Sequence, residues 1–88
     1  MEDDVSNLLT IKIEAFGAIE RQLPEHLQLQ YPNETAVIEV LAGLVVQFPH
    51  AAQMLERCAC AIGEDIIGRQ QILMHDTTLV LLSPVAGG

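Results

Sequence analysis

The sequence predicts an α+β domain in which one main helix crosses one face of a mixed sheet of four to five strands. Three observations predict this fold. Residues 8–14 and 26–31 alternate between apolar and polar side chains, as half-buried strands do. Residues 36–47 repeat apolar side chains at helical spacing, and 78–82 form a mainly apolar run typical of a buried strand. A helix packed on a sheet buries both apolar surfaces and leaves the other sheet face open.

The first two strands are predicted to pair as an antiparallel hairpin. Each places apolar side chains on one face: Leu9, Ile11 and Ile13 in the first, and Leu27, Leu29 and Tyr31 in the second. Phe16, Gly17 and Ala18 are expected to begin a turn after the first strand. The connection between the two strands is long for a tight hairpin turn.

The helix is predicted over residues 36–47. Thr35 is the expected N-cap, with Asn33 as the alternative, because a side-chain oxygen there can accept a free N–H of the first turn. Pro49 ends the helix. The apolar stripe that faces the sheet consists of Val37, Val40, Leu41, Leu44, Val45 and Phe48.

The second half of the chain is built from shorter pieces. Residues 50–57 are predicted to form a short helical turn, and 58–62 a strand of small side chains. Residues 66–67 are expected to start a short edge strand, and 78–82 form the last strand.

Cys58 and Cys60 are the only cysteines, and their spacing places both on one face of a strand. Buried core thiols are the simpler interpretation, and two thiolate ligands for a metal are the alternative. The remaining ligands would have to come from His26, His50 or His75, which show no ligand spacing. The sequence therefore predicts no metal site and no cofactor.

Length and charge restrict the classes of function. The 88 residues suit one small domain, with residues 1–7 as a disordered acidic leader, 8–82 as the folded body and 83–88 as a flexible tail. The net charge of −8 argues against nucleic-acid binding and favours a basic protein partner. The alternative is that the acidic surface only keeps the protein soluble. No apolar run approaches the roughly 20 residues of a membrane span. With an acidic rather than basic start, the chain is expected to be cytoplasmic, with no membrane partner.

The tail Ser83-Pro84-Val85-Ala86-Gly87-Gly88 carries the candidate chemistry. Glycines can enter a cleft too narrow for other residues, and Gly88 presents a free carboxylate. A carboxylate becomes an electrophile once it is adenylated. Sulfur attack then gives a thiocarboxylate, and amine attack gives an isopeptide. The alternative is a frayed end with two chance glycines.

The strand order and the terminal Pro-Val-x-Gly-Gly resemble the small subunits of molybdopterin synthase, which are ubiquitin-like sulfur carriers with a β-grasp fold. The supporting segments are the start LTIKIEAFG, the helix opening ETAVIEVL and the tail VLLSPVAGG. Where many members of this family have a Pro-Pro pair, Ser83 replaces one proline. Leu81 and Leu82 stand where phenylalanine is common.

The resemblance implies that an ATP-dependent activating enzyme adenylates Gly88, that a sulfur-donor protein supplies the sulfur, and that the resulting thiocarboxylate enters the large subunit of the synthase. It assigns partner contacts to the apolar end of the chain: Leu81, Leu82, Pro84, Val85, Ala86 and Gly87. The chain itself would be a non-catalytic carrier, since it shows no nucleophile–base constellation and no phosphate loop. Related carriers serve thiamine or cysteine synthesis. The alternatives of a different class are a ubiquitin-like protein modifier and a binding module with an inert tail.

Overall fold

A computed structural model describes residues 8–84. Its main sheet has five strands, and a two-stranded ribbon and two α-helices accompany it. The strands are β1 (Leu9–Phe16), β2 (Leu27–Tyr31), β3 (Thr35–Ala36), β4 (Ala59–Ile62), β5 (Asp65–Ile67), β6 (Ile72–Leu73) and β7 (Thr77–Leu82). The helices are α1 (Val37–Gln47) and α2 (Ala52–Arg57), with short 3₁₀ helices at Gly17–Gln22 and Pro49–Ala51.

The main sheet has the strand order β2-β1-β7-β4-β5 and is mixed. β1 and β7 run parallel, whereas β1–β2, β4–β7 and β4–β5 are antiparallel. The last strand along the chain is therefore the central strand of the sheet. This arrangement confirms the predicted α+β fold, the hairpin of the first two strands and the edge position of β5.

The connection between β1 and β2 is more ordered than a turn. The 3₁₀ helix Gly17–Gln22 starts immediately after β1 and places Ile19 at zero exposure in the core. Leu23, which follows this helix, is buried as well. The turn predicted at Phe16, Gly17 and Ala18 thus starts one residue later, as a 3₁₀ helix at Gly17, because Phe16 still belongs to β1.

Helix α1 packs its predicted stripe inward, but it starts without the predicted cap. Its N-cap residue is Ala36, whose side chain cannot accept a hydrogen bond. Backbone carbonyls accept the first free N–H groups instead: Val37 N donates to Gln71 O at 2.9 Å and Ile38 N to Arg69 O at 2.8 Å. Capping by Thr35 or Asn33 is therefore wrong, since a neighbouring loop satisfies the helix start.

Thr35 has a different task in the structure. It lies in β3 opposite Leu73 of β6 and is almost fully buried. Its hydroxyl donates to Glu39 Oε1 at 3.1 Å. The ribbon β3–β6 thus closes the side of the core at which α1 begins.

The core lies between α1 and one face of the sheet. Leu9, Ile11 and Ile13 of β1 face it, as do Leu79 and Leu81 of β7. The residues of the helix stripe that are fully or nearly fully buried are Val37, Val40, Leu41 and Leu44. The alternate residues of the same strands lie on the other, open face of the sheet.

Candidate functional site

The candidate site is the end of β7, from which the tail continues. β7 is held on both sides, by β1 in register from Ile11↔Thr77 to Phe16↔Leu82 and by β4 from Ala61↔Val80 to Ala59↔Leu82. Since β1 and β7 are parallel, their C-terminal ends lie side by side at the same end of the sheet. Phe16 therefore lies beside the residues that lead into the tail.

Ser83 extends the sheet by one residue and adds a side-chain clasp. Its backbone N–H donates to Phe16 O at 3.2 Å, and its hydroxyl donates to the same oxygen at 3.0 Å. The hydroxyl also accepts the backbone N–H of Ile19 at 3.2 Å. A tail residue thereby satisfies a free N–H in the first turn of the 3₁₀ helix.

Gly17 makes room for this clasp. Its φ is +85°, a backbone conformation that residues with a side chain rarely adopt. A Cβ at this position would also collide with the Ser83 hydroxyl. Glycine is thus required at residue 17 both by its backbone conformation and by the close approach of Ser83.

An apolar patch on the open sheet face adjoins the start of the tail. We call it the open-face patch and define it by Phe16, Ala59, Ile66, Val80 and Leu82. Phe16 is 49% exposed and Ile66 67% exposed, while Val80 and Leu82 are half-buried. Exposed apolar side chains that lie together on a sheet face are typical of protein-binding surfaces.

The pairing register shows how the patch is assembled. Leu82 lies between Phe16 of β1 and Ala59 of β4. In the next row Val80 lies between Glu14 and Ala61, and Ala61 in turn pairs with Ile66 of the edge strand. Charged and polar residues begin with Glu14 at the side of this second row and continue in the next row, where Lys12 pairs with Thr78. The patch is therefore apolar nearest the tail and charged at its border.

Arg69 connects the two α-helices through hydrogen bonds to their ends. Its guanidinium donates to three carbonyls at the end of α2: Leu55 O at 2.7 Å, Glu56 O at 3.1 Å and Cys58 O at 3.2 Å. Its own carbonyl accepts the Ile38 N–H at the start of α1. One residue thus ties the C-terminal end of one helix to the N-terminal end of the other.

The structure separates the predicted contact residues into three groups. Leu82 is half-buried on the open face, and Pro84 is exposed. Leu81 is at zero exposure in the core, so the expectation that it is exposed to a partner is wrong. Consecutive strand residues point to opposite faces, and therefore only one of the two leucines can be outside. Val85, Ala86, Gly87 and Gly88 lie outside the described residues, as does the proposed leader 1–7.

Phe16 and Ile66 were not expected in the site, and Ser83 was expected only as the first residue of the tail, without its clasp. Phe16 had a usable signal, because the alternation that buries Ile11 and Ile13 places residue 16 on the open face. Ser83 and Ile66 had none, since their roles depend on partners distant in the chain.

The two cysteines lie in the core. Cys58 directly precedes β4, and Cys60 lies within it on the face that the helix covers. Both are free and only 2% exposed. Burial raises the pKa of both thiols, and at Cys58 the neighbouring Cys60 raises it further, while Arg69 lowers both less strongly. Such thiols are poor nucleophiles, as expected of core residues. Within residues 8–84 no three His, Cys, Asp or Glu side chains gather as a metal-binding group.

Several solved structures share this architecture. SAMP1 from Haloferax volcanii superposes with a TM-score of 0.75 at 14% identity, covering 90% of this chain and 99% of that chain. The Haloferax volcanii HVO 2177 protein gives a TM-score of 0.77 at 15% identity, with 93% and 89% covered. The chain has the ubiquitin-like β-grasp fold.

A third β-grasp neighbour belongs to a two-protein assembly. It is part of the complex of subunits 1 and 2 of the molybdopterin-converting factor from Helicobacter pylori 26695. It gives a TM-score of 0.58 at 20% identity, covering 91% of this chain and 100% of that chain. No protein-family model and no curated protein matches the chain. Among the helices within residues 8–84, none is long and apolar enough to cross a membrane.

Proposed function

We propose that the chain is a cytoplasmic sulfur carrier of molybdopterin synthesis that acts as the small subunit of molybdopterin synthase. Residues 1–7 are its leader, 8–82 its body and 83–88 its reactive tail. The observation that carries this proposal is the position of β7. A central strand, held on both sides, leads directly into a tail that ends in Gly87-Gly88.

The chemistry of the proposal takes place at the terminal carbonyl carbon of Gly88. Its carboxylate attacks the α-phosphorus of ATP, which releases pyrophosphate and leaves an acyl-adenylate. Sulfur from a persulfide of the donor protein displaces AMP, and reduction of the resulting S–S bond by a thiol leaves the thiocarboxylate. In the synthase this sulfur passes to the molybdopterin precursor, and water restores the Gly88 carboxylate.

The fold suits a carrier whose partners supply the catalytic groups. Four residues follow Pro84, and four extended residues reach at most about 14 Å. The tail can therefore enter a partner's cleft only if the body docks close to its entrance. The open-face patch lies beside the start of the tail and is the surface that we assign to this docking.

Charge and the comparisons support the same partners. The net charge of −8 would speed encounters with a basic surface on the activating enzyme or the large subunit. The β-grasp neighbour from Helicobacter pylori occurs as a complex of two subunits of the molybdopterin-converting factor. We extend that kind of assembly to this chain, with the sulfur-donor protein as a third partner.

Reconstitution followed by intact mass spectrometry tests the proposal. The chain is incubated with ATP, the activating enzyme of its source and a sulfur donor, and its mass is then measured without reductant. We expect a gain equal to the exchange of one oxygen for sulfur, localised to Gly88. Molybdopterin should form when the large subunit and the precursor are added.

Two tail variants provide the control. Deletion of Gly88, or addition of one residue after it, should abolish the mass gain while leaving the circular dichroism spectrum unchanged. Full activity in either variant would refute the carrier chemistry. Thiocarboxylate formation without molybdopterin would indicate a carrier for thiamine or cysteine synthesis. Lysine adducts would indicate a protein modifier, and an unreacted terminus an inert binding module.

A further inference from the structure

Ser83 is the point at which the sheet ends and the tail begins. Three hydrogen bonds converge there, and two of them use the side-chain hydroxyl, which donates to Phe16 O at 3.0 Å and accepts from Ile19 N at 3.2 Å. The third is the backbone bond from Ser83 N to Phe16 O at 3.2 Å. The last residue before Pro84 is thus held by main chain and side chain together.

The neighbouring segment is shaped around the hydroxyl. Gly17 approaches it so closely that a Cβ would collide with Ser83 Oγ. The N–H that donates to the hydroxyl belongs to Ile19, in the first turn of the 3₁₀ helix. The Ile19 side chain is fully buried. The two partners of the Ser83 hydroxyl therefore both belong to the folded body, one at the end of β1 and one at the start of this helix.

Pro84 transmits the orientation of Ser83 to the tail. A proline ring holds its own φ near about −65° and restricts the preceding residue to extended conformations. Once the Ser83 side chain is fixed, the backbone therefore has few directions in which to leave Pro84.

We infer that Ser83 is a positioning residue for the chemistry at Gly88. Its hydroxyl clasp sets the direction in which the backbone leaves the sheet at Pro84. This inference rests on the proposed function, since it concerns how the tail meets the activating enzyme.

The length of the tail shows why this direction matters. Four extended residues span about 14 Å, so a 30° swing at the base displaces Gly88 by about 7 Å. Errors of about 1 Å in the position of a reacting group already cost large factors in rate. A clasp at the base therefore raises the fraction of docked carriers whose carboxylate lies near ATP.

This role predicts a distinct kinetic signature. Ser83 lies at the base of the tail rather than on the docking patch, so its loss should leave carrier docking intact. Ser83→Ala should lower kcat of adenylation about tenfold, given the two side-chain hydrogen bonds lost, with KM for the carrier changed less than twofold. A residue with only a structural role would lower the melting temperature without changing kcat at a temperature where the variant is folded.

The experiment measures ATP–pyrophosphate exchange by the activating enzyme while the carrier concentration is varied. Ser83→Thr keeps an oxygen at the same position and should restore most of the exchange rate. Thr78→Ala is the matched control, because Thr78 is a half-buried hydroxyl residue of the same strand, paired with Lys12 rather than with Phe16. It should leave kcat unchanged.

A second readout does not require the enzyme. The ¹⁵N order parameter of the Val85 amide should fall in Ser83→Ala and stay unchanged in Thr78→Ala. The inference is overturned if Ser83→Ala exchanges pyrophosphate at the wild-type kcat, or if Ser83→Thr is as slow as Ser83→Ala. If the wild-type chain itself supports no exchange, the proposed function fails, and the order parameter still shows whether Ser83 directs the tail.

Discussion

Leu82 and Leu81 are adjacent in β7 but face opposite sides of the sheet, and replacing each with glutamate separates docking from folding. Leu82 is half-buried between Phe16 and Ala59 on the open face. Leu81 is fully buried in the core. We expect Leu82→Glu to fold and to bind poorly, and Leu81→Glu to remain unfolded.

The cost of Leu82→Glu in folding free energy follows from its surroundings. Full burial of a leucine is worth about 1.5–3 kcal/mol, so a half-buried one contributes about 1 kcal/mol. Phe16 lies directly opposite residue 82, so Glu14, two positions before Phe16, is diagonal to residue 82. Repulsion between Glu14 and the new carboxylate adds a few tenths of a kcal/mol. A loss of about 1–1.5 kcal/mol corresponds to about 4–12 °C in melting temperature for a domain of this size.

Leu81→Glu is far more costly, because it places an unpaired carboxylate in the apolar core. A small domain has about 5–15 kcal/mol of total stability, and an uncompensated buried charge uses most of it. The two variants carry the same chemical change and the same net charge. Any difference between them therefore reports only the direction in which residue 81 or 82 points.

Thermal unfolding by circular dichroism and binding of the activating enzyme by calorimetry measure both effects. Leu82→Glu should melt cooperatively and bind at least about tenfold more weakly, as expected for a residue in the centre of a docking surface. If Leu82→Glu fails to fold, or binds as tightly as the wild type, the assignment of the open-face patch to docking is refuted.

Two further predictions concern the interior. Arg69→Ala should lower the free energy of unfolding in urea by about 1–2 kcal/mol, because three carbonyls at the end of α2 lose a charged donor that is partly exposed to solvent. The exposed Arg57→Ala is its control, and an equal effect of both would contradict the bracing role. The raised pKa of Cys58 and Cys60, due first to burial, favours their neutral forms in the folded chain. Their contribution to stability is therefore complete below the unfolded thiol pKa of about 8.5 and is lost as pH rises through the higher folded values. Melting temperature should fall less steeply with pH in Cys60→Ala than in the wild type, and parallel slopes would count against this linkage.

Periodic segments were predicted well because one physical cause acts along their whole length. The alternation in residues 8–14 and 26–31 reflects burial on one sheet face, and β1 and β2 form at Leu9–Phe16 and Leu27–Tyr31. The helical stripe likewise placed α1 within one residue of its start at Val37. The mixed sheet then followed, since one helix has to cover the apolar side of these strands.

The failures occur where a single residue depends on a distant part of the chain. Thr35 has the composition of a cap, but the Arg69 and Gln71 carbonyls already accept the first helical N–H groups. Ile19 is the one large apolar residue in a short 3₁₀ helix and generates no periodic signal. Leu81 and Leu82 are both apolar, so only the register with Ala15 and Phe16 decides which one is buried.

The parallel pairing of β1 with β7 also determines how the domain bears a mechanical load. When a partner holds the tail and the body is pulled away, the force acts along β7. In a parallel pair pulled from opposite ends, the hydrogen bonds lie across the force and share it, so that they have to break together rather than one after another. Six residue pairs, from Ile11↔Thr77 to Phe16↔Leu82, are loaded in this way, with β4 supporting the other side. An unfolding enzyme that draws the tail into a narrow pore would therefore meet its greatest resistance as soon as it reaches the C-terminal end of β7.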